Sequence, residues 1–112
     1  MATSNVRIIA GSQLTTGAAT YYTAPANTRC VVRRLTLTNT SAGAVTVTLH
    51  LVASGGSASD ANTVAKARSL AAAETWDCVS AEGHVLEAGG TIQALAGAAT
   101  SITIVGSGVE IT

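Results

Sequence analysis

Alternation with a period of two is the feature that most constrains this chain. Ala44–Ala53 reads AVTVTLHLVA. Val45, Val47, Leu49 and Leu51 fall on one side of an extended segment, and Thr46, Thr48 and His50 on the other. Side chains of a strand point to opposite faces in turn, whereas a helix repeats every 3.6 residues, so the pattern specifies a half-buried strand. Arg29–Asn39 (RCVVRRLTLTN) behaves the same way, with Val31, Leu35 and Leu37 on the face that also carries Arg33. Between them lies Thr40-Ser41-Ala42-Gly43, a short polar connection closing on glycine. The two strands are therefore expected to pair as a hairpin.

Weaker versions of the pattern recur at Val6–Ala10, Ala18–Ala24, Thr63–Leu70, Thr75–Val79, Thr91–Ala96 and Ser101–Thr112. Thr, Val and Ile dominate their strand positions, as a pleated surface prefers. Pro25-Ala26-Asn27 and scattered glycines separate the segments; Gly106-Ser107-Gly108 reads as a further turn. Ala58–Ala73 has an alanine-rich, helix-like look, but the alternation of Val64, Lys66, Arg68 and Leu70 favours strand or loop. These segments predict an all-β, single-domain antiparallel β-sandwich of about eight short strands, jelly-roll-like, spanning residues 19–112. Residues 1–18 are either an N-terminal arm or the first strand. Periodicity leaves strand order open.

Composition narrows the function. Only 11% of the 112 residues are charged, and six basic against six acidic side chains leave a net charge of zero. Soluble domains average about 25% charged residues and usually sit away from neutrality. Without a basic excess, an electrostatically driven nucleic-acid binder is not expected. The chain is too apolar for disorder. Met1–Asn5 lacks the basic start of a secretion signal. Leu35–Ser59 is broken by Thr, and Ala88–Val109 by Gly, so neither supplies the roughly 20 apolar residues of a spanning helix. No membrane partner is expected. A neutral, charge-poor surface points to association with other protein.

No catalytic constellation is legible. His50 and His84 sit in separate segments and read as surface or rim imidazoles. Cys30 and Cys78 stand alone, and they are expected as buried thiols unless folding brings their Cα atoms within about 7 Å. Spacings for a zinc site, the G-x-S-x-G elbow, G-x-G-x-x-G and the P-loop are absent. Asp77, Glu82 and Glu87 cluster around Trp76 and His84, but they read as solvated loop charges rather than a glycosidase pair. We expect no enzyme, with no catalytic, cofactor or metal residues. The adjacent Tyr21 and Tyr22 should face opposite ways, placing at most one in the core.

Contact features are clearer. Arg33 and Arg34 also face opposite ways along a strand, so one must point to the apolar side unless it reaches an edge or a partner chain. Thr on the second face of strands gives an uncharged, hydrogen-bonding surface suited to packing against another subunit. In residues 1–18, Arg7 beside Val6, Ile8 and Ile9 suits an arm that adds a strand to a neighbour. The candidate interface residues are Arg7, Ile8, Ile9, Arg33 and Arg34.

Several stretches taken in order carry a resemblance. Tyr22-Thr23-Ala24-Pro25-Ala26-Asn27-Thr28 leads into Arg33-Arg34-Leu35-Thr36-Leu37-Thr38-Asn39 and the Val45–Leu49 strand. Ser69–Thr75 and Val85-Leu86-Glu87-Ala88-Gly89-Gly90 follow, and Gly106-Ser107-Gly108-Val109-Glu110-Ile111 closes the chain. From Ala19 onward this order resembles small all-β virion structural proteins of tailed bacteriophages and prophages. The resemblance implies a non-enzymatic particle component, foremost a capsid decoration or cement protein binding the assembled head as a symmetric oligomer. Its partners would be copies of itself, by analogy a trimer, and the major capsid protein or other virion proteins. Its place would be the virion, after synthesis in the bacterial cytoplasm. A tail, collar or baseplate subunit is the alternative; a carbohydrate-binding module using Trp76 is the alternative of another class.

Overall fold

The strands lie close to where alternation places them, but the sheets they join do not follow chain order. The computed structural model describes residues 2–112. Within them run β1 (Thr3–Gln13), β2 (Ala19–Thr23), β3 (Arg29–Asn39), β4 (Val45–Val52), β5 (Thr63–Leu70), β6 (Thr75–Asp77), β7 (Val85–Leu86), β8 (Thr91–Ala96) and β9 (Ile102–Ile111). Short 3-10 turns occupy Asp60–Asn62 and Val79–Ala81. Half of the helix-like stretch Ala58–Ala73 is thus strand β5, and the rest is a 3-10 turn and loop. Thr75–Val79 breaks after Asp77, and β7 is too short to leave a periodic trace.

Sheet I has the order β1-β9-β3-β6, with β7 pairing β3 along the same edge as β6; sheet II has the order β2-β8-β4-β5. All pairings are antiparallel. With β6 and β7 counted as one interrupted strand, every consecutive pair except β4–β5 crosses between sheets. This is the wiring of a jelly roll, two Greek keys folded into a sandwich. Both inner faces meet in one core, where Val32, Leu35, Leu37, Ile102 and Ile104 oppose Val47, Leu49, Leu70 and Ile92, all at 0% exposure. Each such side chain stabilises the fold by about 1.5–3 kcal/mol through burial.

The expected β3–β4 hairpin does not form, because the two strands belong to different sheets. Asn39 braces the crossing. Its fully buried side chain accepts from Ser41 N (2.9 Å) and Ser41 Oγ (2.7 Å) and donates to Gly43 O (2.8 Å) and Leu70 O (3.0 Å). One amide thereby satisfies the turning backbone that a hairpin ladder would otherwise pair, and the chain arches over the core. Alternation is identical for two strands side by side and two strands face to face.

Bulges then reset the alternation. In β3, Val32 pairs Gly108 and Arg34 pairs Ser107, so one extra residue intrudes at Arg33. Cys30 and Val32 face the core before it, Leu35 and Leu37 after it. The expectation that Val31 shares a core face with Leu35 is corrected, and so is the forced inward arginine. A bulge in β1 between Val6 and Ile9 likewise turns both Ile8 and Ile9 inward, at 9% and 3% exposure. In β2 a shift between Thr20 and Tyr22 lets both Tyr21 and Tyr22 pack against the core.

Gly106-Ser107-Gly108 is not a turn but the middle of β9. A Cβ on Gly106 would lie 2.7 Å from Leu35 Cδ2, and one on Gly108 would lie 2.7 Å from Val31 O. Both glycines are therefore places where neighbouring atoms occupy the space of a side chain.

Candidate functional site

The bulges decide which residues the outer face of sheet I presents. Thr36 Oγ1 donates to Asp77 Oδ1 (2.7 Å), and the Thr38 and Thr75 hydroxyls share a hydrogen bond of 3.2 Å. Thr103 pairs Thr38 in register, and Val105 pairs Thr36. This part of the face carries the Asp77 carboxylate among hydroxyls, and those of Thr36, Thr38 and Thr75 are tied across strands, as expected for Thr ladders.

Farther along the same sheet the face becomes basic. Arg7 from β1 and Arg33 from β3 flank Ser107 of β9, and with Asn5, Val6 and Gly108 they line an open groove of about 430 Å³. Behind its floor, the Cβ position of Gly108 is closed by Val31 O and Cys30 Sγ. Arg34 is exposed beside it. None of these three guanidiniums belongs to an ion pair among the described residues; the pairs found are Arg29 Nε with Glu87 (2.9 Å) and Lys66 Nζ with Asp60 (3.1 Å). Ile8 and Ile9, the other candidate contact residues, are core residues and offer no surface to a partner. Residues 3–13 pair along β9 as an edge strand. In sequence, the two glycines flanking the floor residue Ser107 suit a turn; in the fold they mark a crowded strand.

The remaining chemistry-bearing residues are dispersed. His50 is buried at 6% exposure rather than at a rim. Its Nδ1 lies 3.0 Å from Asn62 Oδ1, 3.1 Å from Ser59 O and 3.1 Å from Thr63 Oγ1. Ser59 O has no proton to give, so Nδ1 is protonated and donates, and the imidazole pins the Ser57–Thr63 segment onto the outside of sheet II. His84 is exposed, and its carbonyl accepts from Val32 N. Asp77 and Glu87 are engaged as described above. Trp76 packs against the core, with the Arg68 guanidinium 4.5 Å from its ring centroid. That cation occupies a ring face that a sugar would need.

Cys30 and Cys78 are free, fully buried thiols. Burial pushes both upward from the ordinary thiol value, which suppresses the reactive thiolate. Tyr22 Oη donates to Glu110 Oε2 at 2.6 Å, linking sheet II to sheet I. Burial, reinforced by that carboxylate, holds the phenol far above its ordinary value. Among the described residues no group of three or more His, Cys, Asp or Glu is placed to hold a metal ion. No helix among them is long and apolar enough to cross a membrane. At one end of the sandwich, Arg29 and Glu87 border a second groove of about 380 Å³ with Asn27, Thr28, Ile111 and Thr112.

Fold and surface together define a class: an antiparallel jelly-roll sandwich whose sheet I presents an outer face that is Thr-rich at one end and basic at the other. Compared with protein-family models, curated proteins and solved structures, the chain matches none.

Proposed function

We propose that this chain is a non-enzymatic structural protein of a tailed-bacteriophage virion, a decoration or cement protein that sits on the assembled head as a symmetric trimer. The observation that carries the reading is the outer face of sheet I. Thr36, Thr38, Thr75 and Thr103 stand where an isolated sandwich would usually carry Lys or Glu, on a chain with 11% charged residues and zero net charge. Such a surface is cheap to desolvate against another protein, because the hydroxyls of Thr36, Thr38 and Thr75 already have partners. Jelly rolls are recurrent in viral shells and equally in lectins, so the fold supports the reading by analogy only. The arginine lying over Trp76 weighs against the lectin-like alternative.

The test is copy number and position in purified particles. Density at hundreds of copies on the head lattice is the expected result. Six to a few dozen copies at the tail, collar or baseplate would move the protein to that position within the particle. Absence from particles, with glycan binding lost in Trp76→Ala, would replace the reading by a carbohydrate-binding one.

A further inference from the structure

The charged residues are few enough to be followed one by one. Among the six carboxylates, Asp60 and Glu87 form ion pairs with Lys66 and Arg29. Asp77 accepts from Thr36 Oγ1, Glu74 from the amide of Ala71, and Glu110 from Tyr22 Oη. Glu82 alone has no side-chain hydrogen bond or ion pair among the described residues. On the basic side Arg68 lies over Trp76, which leaves Arg7, Arg33 and Arg34 unpaired.

The unpaired carboxylate sits in distinctive company. Glu82 follows the 3-10 turn Val79–Ala81 and precedes β7, in the excursion that interrupts the edge of sheet I. Val79 and Val85, at 70% and 51% exposure, are the large hydrophobics left exposed among the described residues, and both flank it. The excursion is thus an apolar knob with one anion that has no partner in its own chain among the described residues. The Arg7–Arg33 groove is its complement: two guanidiniums, the half-buried Val6, and a floor of Ser107 and Gly108.

We propose that the Val79–Val85 knob of one copy docks in the Arg7–Arg33 groove of a second copy, the Glu82 carboxylate lying between the two guanidiniums. Planar guanidinium forks match carboxylate geometry, and the desolvated pair fixes register as well as affinity. Arg7 lies on the β1 edge of sheet I, whereas the knob lies on the opposite β6–β7 edge. Different patches therefore meet, a heterologous contact, which closes as a ring where its rotation divides a full turn, as the proposed trimer requires. The inference rests on the self-assembly reading above and gives that assembly its contact.

Native mass spectrometry and sedimentation across the micromolar range provide the test. Glu82→Arg, or Arg7→Glu with Arg33→Glu, should weaken the wild-type oligomer about tenfold or more. The chain carrying all three reversals should recover most of the association. Thermal unfolding of the dissociated variants, compared with diluted wild type, shows that folding is retained; Glu82→Gln, a milder change, should weaken assembly in the same direction. A wild-type oligomer indifferent to the reversals overturns this contact and leaves the assembly reading standing. Weakening without recovery in the triple reversal overturns the pairing of these residues. A wild type that stays monomeric throughout overturns both the contact and self-assembly.

Discussion

β3 and β4 carry nearly the same alternation of Val or Leu with Thr, yet their polar residues do opposite work. On β4 the outward side beyond the exposed Thr46 is engaged by the chain itself. Thr48 Oγ1 accepts from Ala67 N (3.0 Å), and His50 anchors the segment that folds back over it. On β3 the outward side stays open. Thr36 and Thr38 reach only the short strand β6, and the bulged Arg33 and Arg34 reach no acid. The same binary pattern thus builds one face closed by its own loop and one face left for contact. What separates them is a ten-residue connection after β4, long enough to fold back, against a five-residue arch after β3 that is spent on crossing between sheets.

The arch is the most consequential place to break this comparison. Asn39→Ala removes the amide that serves Ser41, Gly43 and Leu70, strands the buried Leu70 carbonyl and leaves a cavity in the core. A loss of about 3 kcal/mol is expected, since each buried group left without a partner costs roughly 1–3 kcal/mol. Denaturant unfolding measures it. A loss below about 1 kcal/mol would mean that the arch is held by packing and not by Asn39.

Next in size is the closed face of β4. His50→Ala should cost about 2 kcal/mol, combining lost hydrogen bonds with a small cavity. Amide exchange should quicken selectively in Ser57–Thr63, the segment that His50 holds. His84→Ala, at an exposed position, should change stability by no more than about 0.5 kcal/mol. Equal costs at the two histidines would erase the distinction between a closed and an open face.

These contrasts also mark what was legible in the sequence. Alternation located β3, β4, β5 and β8 closely, because strand period and residue type are local properties. It could not say that β3 and β4 face each other, since Leu35 and Leu49 point into the core either way. Nor could it register the single inserted residues at Arg33 and in β1. A bulge inverts the facing of everything after it, and its cause is the partner strand. Hence Arg33 and Arg34 are outward together, and Ile8 and Ile9 inward together. Of the candidate contact residues the groove keeps Arg7 and Arg33, with Arg34 beside it. Ser107 and Glu82 gain their place only once β9 and the broken β6–β7 edge are seen.

A smaller effect concerns the tie between the sheets at Tyr22 and Glu110. The folded phenol is raised, so the native state keeps a proton that the unfolded chain gives up near pH 10. Its contribution is complete below that pH and is lost as pH climbs above it, because the unfolded state then binds fewer protons. The raised thiols of Cys30 and Cys78 add the same sign, beginning nearer pH 8.5. Stability measured against pH should therefore decline on the alkaline side in two overlapping stages. Tyr22→Phe should remove the later one and leave the earlier one. An unchanged alkaline profile in that variant would show that the phenol does not titrate differently on folding.

The smallest effect on stability belongs to the open face, and it sharpens the comparison most. Arg33→Ala and Arg34→Ala remove exposed side chains with no ion pair, so each should shift stability by at most about 0.5 kcal/mol. Either change could even be mildly favourable, because two adjacent guanidiniums on one bulge repel each other. A residue that costs the monomer nothing to lose, at a bulge that holds it outward, is shaped by something other than folding. If Arg33→Ala instead destabilises the isolated chain by 2 kcal/mol or more, on the scale of a buried side chain, β3 is as self-sufficient as β4. The outer face of sheet I would then be ordinary protein surface.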